Sequence, residues 1–476
     1  MAAHGPTQAR QLFLRFEQWI VVGLTVLYFL TYAGLSLLRH GTFHSFGPDL
    51  GIFDQIFWNT IHGRPWESTM SLGQPTPHSY LGDHFSPVYL LLLPFYAVVP
   101  HPGTLLVLQT LALALGVWPI YLLARDTFAS AAVRFAWVGV YFLFLPLAFI
   151  NLFDFHELAF AVLPLGFAIY FLERGQTPWF VLSLLAAFLI KEELPLTGIG
   201  FGVYILLGKR EWRLGLGVLL GSALSFLAII RLIIPAFGGG AGYVYFAARY
   251  GQLGNTPQQI LLTVLTHPRT VLQTLLQGQK LKFLLGIFGP VLGLTALSGW
   301  AILLVLPTLA VLLLSNYPPQ YAFSSHYSAP LIALVIGTSV LGLARLPARL
   351  HGPVTAAILL SSLGFSVLVG DLPFSRHFDP AMFRAEARYL AFAPVLDRVP
   401  SNASVASENN LTPHLTHRRF IYNLEFEGAQ GASYVALDFA GVGRSRDLFA
   451  RQRDELLTQG YRLVATGDGL ALLQKP

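Results

Sequence analysis

Apolar stretches of about membrane-spanning length recur along the first 370 positions, separated by short polar or basic connections. They lie near 18–38, 103–124, 131–150, 157–173, 178–190, 195–208, 212–235, 282–297, 299–315, 327–343 and 352–370, and predict about eleven transmembrane helices. After Gly370 the pattern changes. Residues 371–476 carry charges of both signs, strand-like runs at Ser404–Ala406, Arg419–Asn423, Tyr434–Phe439, Tyr461–Ala465 and Leu470–Leu473, and helical patterns near 381–397 and 446–459. The expected organisation is therefore an α-helical polytopic membrane domain, 1–370, followed by a small α/β domain, 371–476. Asp468-Gly469 marks a hairpin turn between the last two strands. Gly441-Val442-Gly443 reads as an ordinary turn, because Arg446 stands where a nucleotide-binding loop needs its third glycine.

One polar, aromatic-rich stretch interrupts the apolar pattern early, from Phe46 to Pro87. In a helix starting after Pro48, Leu50, Phe53, Phe57 and Ile61 fall on one side. Gln55, Trp58 and His62 fall toward the other, with Asp54 at the boundary. This predicts an amphipathic helix lying on a membrane surface, with Asp49 at its N-cap. Asp49, Asp54, Asp83 and His84 are then either structural or the wall of a reaction site.

Composition agrees with the pattern: 54% of the chain is hydrophobic and 11% charged, against about 25% charged in soluble proteins. Membrane lipids are the expected surroundings. Cysteine is absent, which excludes disulfides and thiolate metal sites. The net charge of +6 forms no basic stripe interleaved with stacking aromatics, so nucleic acid is not an expected partner. The run from about Trp19 lacks a small-residue cleavage site behind it and reads as a retained first helix. With the N-terminus in the cytoplasm, Arg10, Arg15, Arg125, Arg134, Arg174, Lys209, Arg210, Arg213, Arg345 and Arg349 fall on the cytoplasmic side, as the positive-inside rule expects. The same orientation turns the 39–102 loop, the 236–281 loop, the C-terminal domain and three short polar motifs outward, toward one extracytoplasmic cavity.

Those motifs carry the candidate chemistry. Lys191-Glu192-Glu193 breaks an apolar run, either as a turn with an internal ion pair or as a site where Lys191 meets a phosphate held in place by a glutamate. Asp154, His156 and Glu157 form a compact oxygen and nitrogen donor set for Mg2+, Mn2+ or Zn2+, or else a helix cap or a contact to a substrate hydroxyl. His326 and Tyr327 open a helix where backbone N–H groups can receive phosphate, and Arg231 and Arg249 are further phosphate candidates. The glycine run Gly238–Gly240, followed by Tyr243, Tyr245, Arg249 and Tyr250, suits a lid, a sugar-binding surface or an interfacial belt.

Pro48-Asp49-Leu50-Gly51-Ile52-Phe53-Asp54-Gln55, Gly82-Asp83-His84-Phe85-Ser86-Pro87, Asp154-Phe155-His156-Glu157 and His326-Tyr327 together resemble a family of prokaryotic membrane proteins, the domain-of-unknown-function family 2079. That family in turn resembles the integral-membrane glycosyltransferases of the C-type fold (GT-C). The resemblance implies a prokaryotic cytoplasmic-membrane enzyme transferring a sugar from a polyprenyl-phosphate donor to an extracytoplasmic lipid, glycan or protein. It implies Asp49 as the general base, with Asp54 as the fallback. It also implies Asp83, His84, Lys191, Glu192, Arg249, His326 and Tyr327 as substrate- or phosphate-binding groups, and a divalent metal, if one is used, at Asp154, His156 and Glu157. The first loop departs from the C-type pattern in lacking a clean pair of adjacent acids. A lipid or solute transporter or flippase, and a non-catalytic scaffold, are the alternative functions. A transporter predicts ionisable residues at the membrane midplane and an internal repeat, neither of which the sequence displays.

Overall fold

The computed structural model describes residues 8–70, 77–240, 243–439 and 446–476; the Gly441-Val442-Gly443 turn lies outside the described residues. The longest element is α1 (Gln8–Gly41), whose apolar part from Leu14 is long enough to cross a bilayer. Four further helices meet that length, Pro102–Thr127, Trp212–Phe237, His326–Ala344 and Ala348–Val369. Two bent pairs, Ala131–Phe142 with Leu145–Leu152 at 41° and Leu294–Leu304 with Leu306–Leu314 at 92°, bring the helices of spanning length and composition among the described residues to up to 7 if each pair counts as one. His326–Ala344 is the central helix, with 89% of its apolar window buried, whereas Trp212–Phe237 and Ala348–Val369 lie at the periphery with 22%. A helix apolar on all sides takes the middle of a bundle.

Fewer unbroken spans form than the apolar runs predict, and the backbone explains why. The stretch from Trp179 to Leu207 splits into Thr177–Phe188 and Leu194–Tyr204, because Lys191 and Glu192 turn into the interior between them. Near 282–315 the chain stops at Gly289-Pro290 and kinks again at Gly299, whose φ of 65° lies in the left-handed region. Hydropathy registers how apolar a stretch is, not where it turns.

The first loop corrects a second expectation. Phe46 holds the N-cap position, a π-helical turn covers Gly47–Gly51, and α2 (Ile52–Ile61) continues from it. Asp49 therefore lies inside the first turn, after Pro48, and no side chain caps the turn. Nor does α2 lie on a surface: Phe53, Asp54, Gln55, Ile56, Phe57 and Asn59 are all buried. Leu50, Phe53 and Phe57 join the membrane core, as their spacing predicts. The opposite side is covered by the C-terminal residues, to which Gln55 donates a hydrogen bond at Arg419 O, 2.8 Å. Helices α3 (Tyr89–Val98) and α4 (Pro102–Leu115) then return the chain to the bundle.

A short antiparallel pair, β1 (Glu67–Ser68) with β2 (His78–Ser79), precedes the main sheet. That sheet contains β3 (Val405–Ser407), β4 (Ile421–Asn423), β5 (Tyr434–Asp438), β6 (Arg462–Gly467) and β7 (Leu470–Gln474) in the order β4-β3-β5-β7-β6. β3 runs parallel to β4 and β5, while β7 is antiparallel to β5 and β6. Asp468 and Gly469 adopt φ of 43° and 82°, as a two-residue hairpin with matching twist requires. Strand alternation sends Val405, Ile421, Ala436, Leu470 and Leu472 to one face, against Tyr389, Phe392 and Leu396 of helix Ala387–Leu396. Ala406, Val435, Leu437, Ala471 and Leu473 go to the other, against Leu456 and Tyr461. Phe43 and Met70 from the membrane region join the first of these clusters and dock the sheet onto the bundle.

Candidate active site

A cavity of about 550 Å³ lies between the helix bundle and the sheet, lined from the first loop by Asp49, Tyr80, Asp83 and His84. The bundle contributes Phe153, His156, Lys191, Arg249, Tyr317, His326 and Tyr327, and the C-terminal residues Asn409 and Phe426 close it. Asn409 Oδ1 accepts a hydrogen bond from Gly47 N at 2.8 Å, fixing the turn that presents Asp49. Little room exists there for a side chain: a Cβ on Gly47 would meet Asn423 Nδ2 at 2.6 Å.

Asp49 and Asp54, equivalent candidates in the sequence, have different surroundings. Asp49 reaches the cavity with its side chain 22% exposed, and its Oδ1 lies 3.0 Å from His156 Nε2. Asp54 is fully buried and does not line the cavity. Its Oδ1 accepts from Tyr96 OH at 2.6 Å and its Oδ2 from Thr416 Oγ1 at 2.5 Å, with His417 Nε2 3.2 Å away. Asp54 ties the first loop to the C-terminal region; the fallback role as base is not one its position allows.

The Asp154-Phe155-His156-Glu157 turn does not fit a metal. Its three donors point to three different partners. Asp154 accepts from Arg39 Nη1 at 2.7 Å and from Phe46 N at 2.9 Å, and burial outweighs Arg39 to push its carboxyl up to about 6. Glu157 is paired with Lys191 and accepts from Tyr89 OH at 3.1 Å. His156 turns to Asp49 and stacks on His326, ring centroids 3.4 Å apart. Among the described residues no group of three or more His, Cys, Asp or Glu side chains converges to hold a metal ion. Gln109 of α4, which the sequence does not single out, holds the turn: its Oε1 accepts from His156 N at 2.7 Å and its Nε2 donates to Asp154 O at 3.0 Å.

The cationic side of the cavity is built from Lys191 and Arg249. Lys191 is buried against Glu157, so the glutamate that fixes it comes from the 154–157 turn rather than from its own triplet. Glu192 is instead the partner of His84, accepting from Nδ1 at 2.7 Å, from Phe85 N at 3.1 Å and from Tyr243 OH at 2.6 Å. His84 and these donors hold the Glu192 carboxyl well below the usual range, against the effect of its burial. Burial pushes Glu193 up to about 7. Asp83 accepts from His78 Nε2 at 2.7 Å. Arg249 forms no ion pair among the described residues; its guanidinium lies over Tyr245, Tyr317 and Tyr327 at 4.5, 5.8 and 5.2 Å and donates to Tyr327 OH at 3.1 Å.

A second cavity of about 410 Å³ meets the first at Arg249, which lines both. Leu196, Ile199, Phe226, Ile230, Ile260, Leu261, Val264, Val311 and Leu314 make it an apolar channel, with Glu192, Glu193 and Tyr243 at its polar end. Arg231, by contrast, hydrogen-bonds Gln258 at an exposed position and lines neither cavity.

The family model described as "Predicted membrane protein (DUF2079)" matches residues 39–472. This chain belongs to that family. No curated protein matches it. Among solved structures it is similar to ArnT from Cupriavidus metallidurans bound to undecaprenyl phosphate, with a TM-score of 0.54 at 15% identity over 95% of this chain and 97% of that one. ArnT from the same organism in the apo state gives 0.53 at 13%, over 95% and 98%. The DUF2079 chain thus has the ArnT-like GT-C fold along nearly its whole length, C-terminal residues included. Of the residues expected at the site, the fold gathers Asp49, Asp83, His84, His156, Lys191, Arg249, His326 and Tyr327 around one cavity. It leaves Asp54, Asp154 and Glu157 behind the lining as supports, while Glu192 lines the second cavity.

Proposed function

We propose that this DUF2079 protein is a membrane glycosyltransferase that passes a sugar from a polyprenyl-phosphate donor to a lipid, glycan or protein acceptor outside the cytoplasmic membrane. The observation that carries the reading is that one cavity has the accessible carboxylate of Asp49 in its wall and, where it meets an apolar channel, the guanidinium of Arg249, which forms no ion pair among the described residues. A lipid-linked phosphate needs that junction: a cation for its head and an apolar groove for its tail. The ArnT structure of the same fold holds undecaprenyl phosphate.

In this reading Asp49 removes the proton from the acceptor hydroxyl as its oxygen attacks the anomeric carbon. The bond from that carbon to the phosphate oxygen breaks, and the departing phosphate gains charge that Arg249 and Lys191 stabilise electrostatically. Asn409 and Phe426, the lining residues from the C-terminal part of the chain, are assigned to the acceptor side. The test is purified protein in nanodiscs with radiolabelled polyprenyl-phosphate sugars, with and without divalent cations. Sugar release that Asp49→Asn abolishes supports the reading; no release from any donor, with no lipid binding, overturns it.

A further inference from the structure

One group in the cavity has the architecture of an oriented proton carrier and no role in the steps above. His84 lines the cavity, yet its Nδ1 is committed to Glu192 Oε1 at 2.7 Å. A carboxylate accepts only, so Nδ1 carries a hydrogen and Nε2 is the nitrogen left to act. Glu192 is fixed by more than the imidazole, since Phe85 N and Tyr243 OH also donate to it. The ring is clamped on its face by Tyr245, centroids 4.7 Å apart at 16°. The other face of the arrangement matters for the chemistry: Tyr245 also lies under the Arg249 guanidinium, which places His84 one aromatic ring away from the phosphate cation of the proposed function.

We propose that His84, oriented by Glu192, donates its Nε2 proton to the phosphate oxygen released when the sugar leaves. Resting on the glycosyl-transfer reading, this adds the second half of the proton balance. The acceptor O–H proton goes to Asp49, and the electron pair of the breaking carbon–oxygen bond goes to the phosphate. That oxygen takes the proton from His84, and solvent resets both groups. Glu192 is a positioning residue here: it fixes the tautomer and carries the charge of the imidazolium before transfer. Tyr80, Tyr243, Tyr245, Glu157 and His326 are the other titratable groups facing His84.

The experiment compares His84→Ala and His84→Asn with wild type, using one polyprenyl-phosphate sugar donor and measuring kcat and KM. His84→Asn retains a donor for Glu192 but no Nε2, so it preserves the local fold while removing the proton. Both variants are expected to lose about 100-fold in kcat with donor KM little changed, as loss of a general acid does. Added imidazole should restore His84→Ala by about 10-fold or more and leave His84→Asn slow, because only the alanine variant has room for the small base. Glu192→Gln should lose less, Phe85 N and Tyr243 still holding that position. Wild-type kcat in His84→Asn, a loss confined to KM, or no imidazole rescue overturns the proposal while leaving the transferase reading intact. Absence of turnover in wild type overturns both.

Discussion

His156 and His326 stack face to face, ring centroids 3.4 Å apart and planes 10° from parallel, with His156 Nε2 3.0 Å from Asp49 Oδ1. The two imidazoles come from distant parts of the chain, one from the turn held by Gln109 and one from the start of the central helix. Neither Nδ1 has a hydrogen-bond partner among the described residues. The stack therefore determines the plane of His156, and His156 determines where Asp49 points.

Removing the His326 ring should loosen the proposed base, Asp49, without touching it. His326→Ala is expected to fold and to lose between about 10- and 100-fold in kcat, the scale of a misplacement of about 1 Å. Steady-state kinetics on the lipid-phosphate donor check it. An unchanged kcat would mean that Gln109 alone is enough to hold His156.

Asp54 leads to the opposite expectation. Its carboxylate is buried between Tyr96 and Thr416, and so joins a membrane-region helix to the C-terminal residues. Asp54→Ala removes the buried carboxylate that accepts from Tyr96 and Thr416 at their shorter hydrogen bonds and should lower stability by about 3 kcal/mol. Turnover per folded molecule should be unaffected. Thermal unfolding in detergent, read beside specific activity, separates this from Asp49→Asn, where activity falls and the melting temperature stays.

These two aspartates show how far the sequence alone reaches. Apolar periodicity was enough to place Leu50, Phe53 and Phe57 in the core, and the composition shift after Gly370 to separate the sheet from the helices. The same pattern put Asp54 at a surface boundary, because no helical wheel contains the C-terminal residues that fold back over α2. The 154–157 turn failed for a related reason. Spacing brings three ligand types into four positions, but Arg39, Lys191 and Asp49, which claim them one by one, are remote in the chain. Nothing local marks Asn409 or Phe426 as cavity residues, since their place depends entirely on how the sheet docks.

That docking surface should be acid-sensitive. His414 lies between His40 and Phe43, with centroids at 4.5 and 3.8 Å, and burial pushes it down to about 3. An unfolded histidine titrates near 6.5, so between about pH 6.5 and 3 the unfolded chain binds the extra proton. Stability is thus fully present above about pH 6.5 and falls as the pH drops through that window. Melting temperature measured from pH 7.5 to pH 5 should decline, and His414→Gln should flatten the decline. A wild-type curve that is flat over this range would show that another group offsets His414.

Lys191 and Arg249, both cations of one cavity, should fail in different ways. Lys191 neutralises buried Glu157, so Lys191→Met strands a carboxylate and is expected to destabilise the protein by about 3–5 kcal/mol. Adding Glu157→Gln should recover much of that stability, because the stranded charge is gone. Arg249 has no carboxylate partner among the described residues and is held by three tyrosine rings instead. Arg249→Lys keeps the charge but loses the planar fork that lies on those rings and that, in the proposed function, grips two phosphate oxygens. It should fold normally and raise the donor KM by about 10- to 100-fold, the value of a charge-assisted hydrogen bond. The comparison is decisive if both variants are measured for melting temperature and for donor KM. A normal KM in folded Arg249→Lys would place the phosphate elsewhere in the cavity and leave Lys191 as its remaining cation.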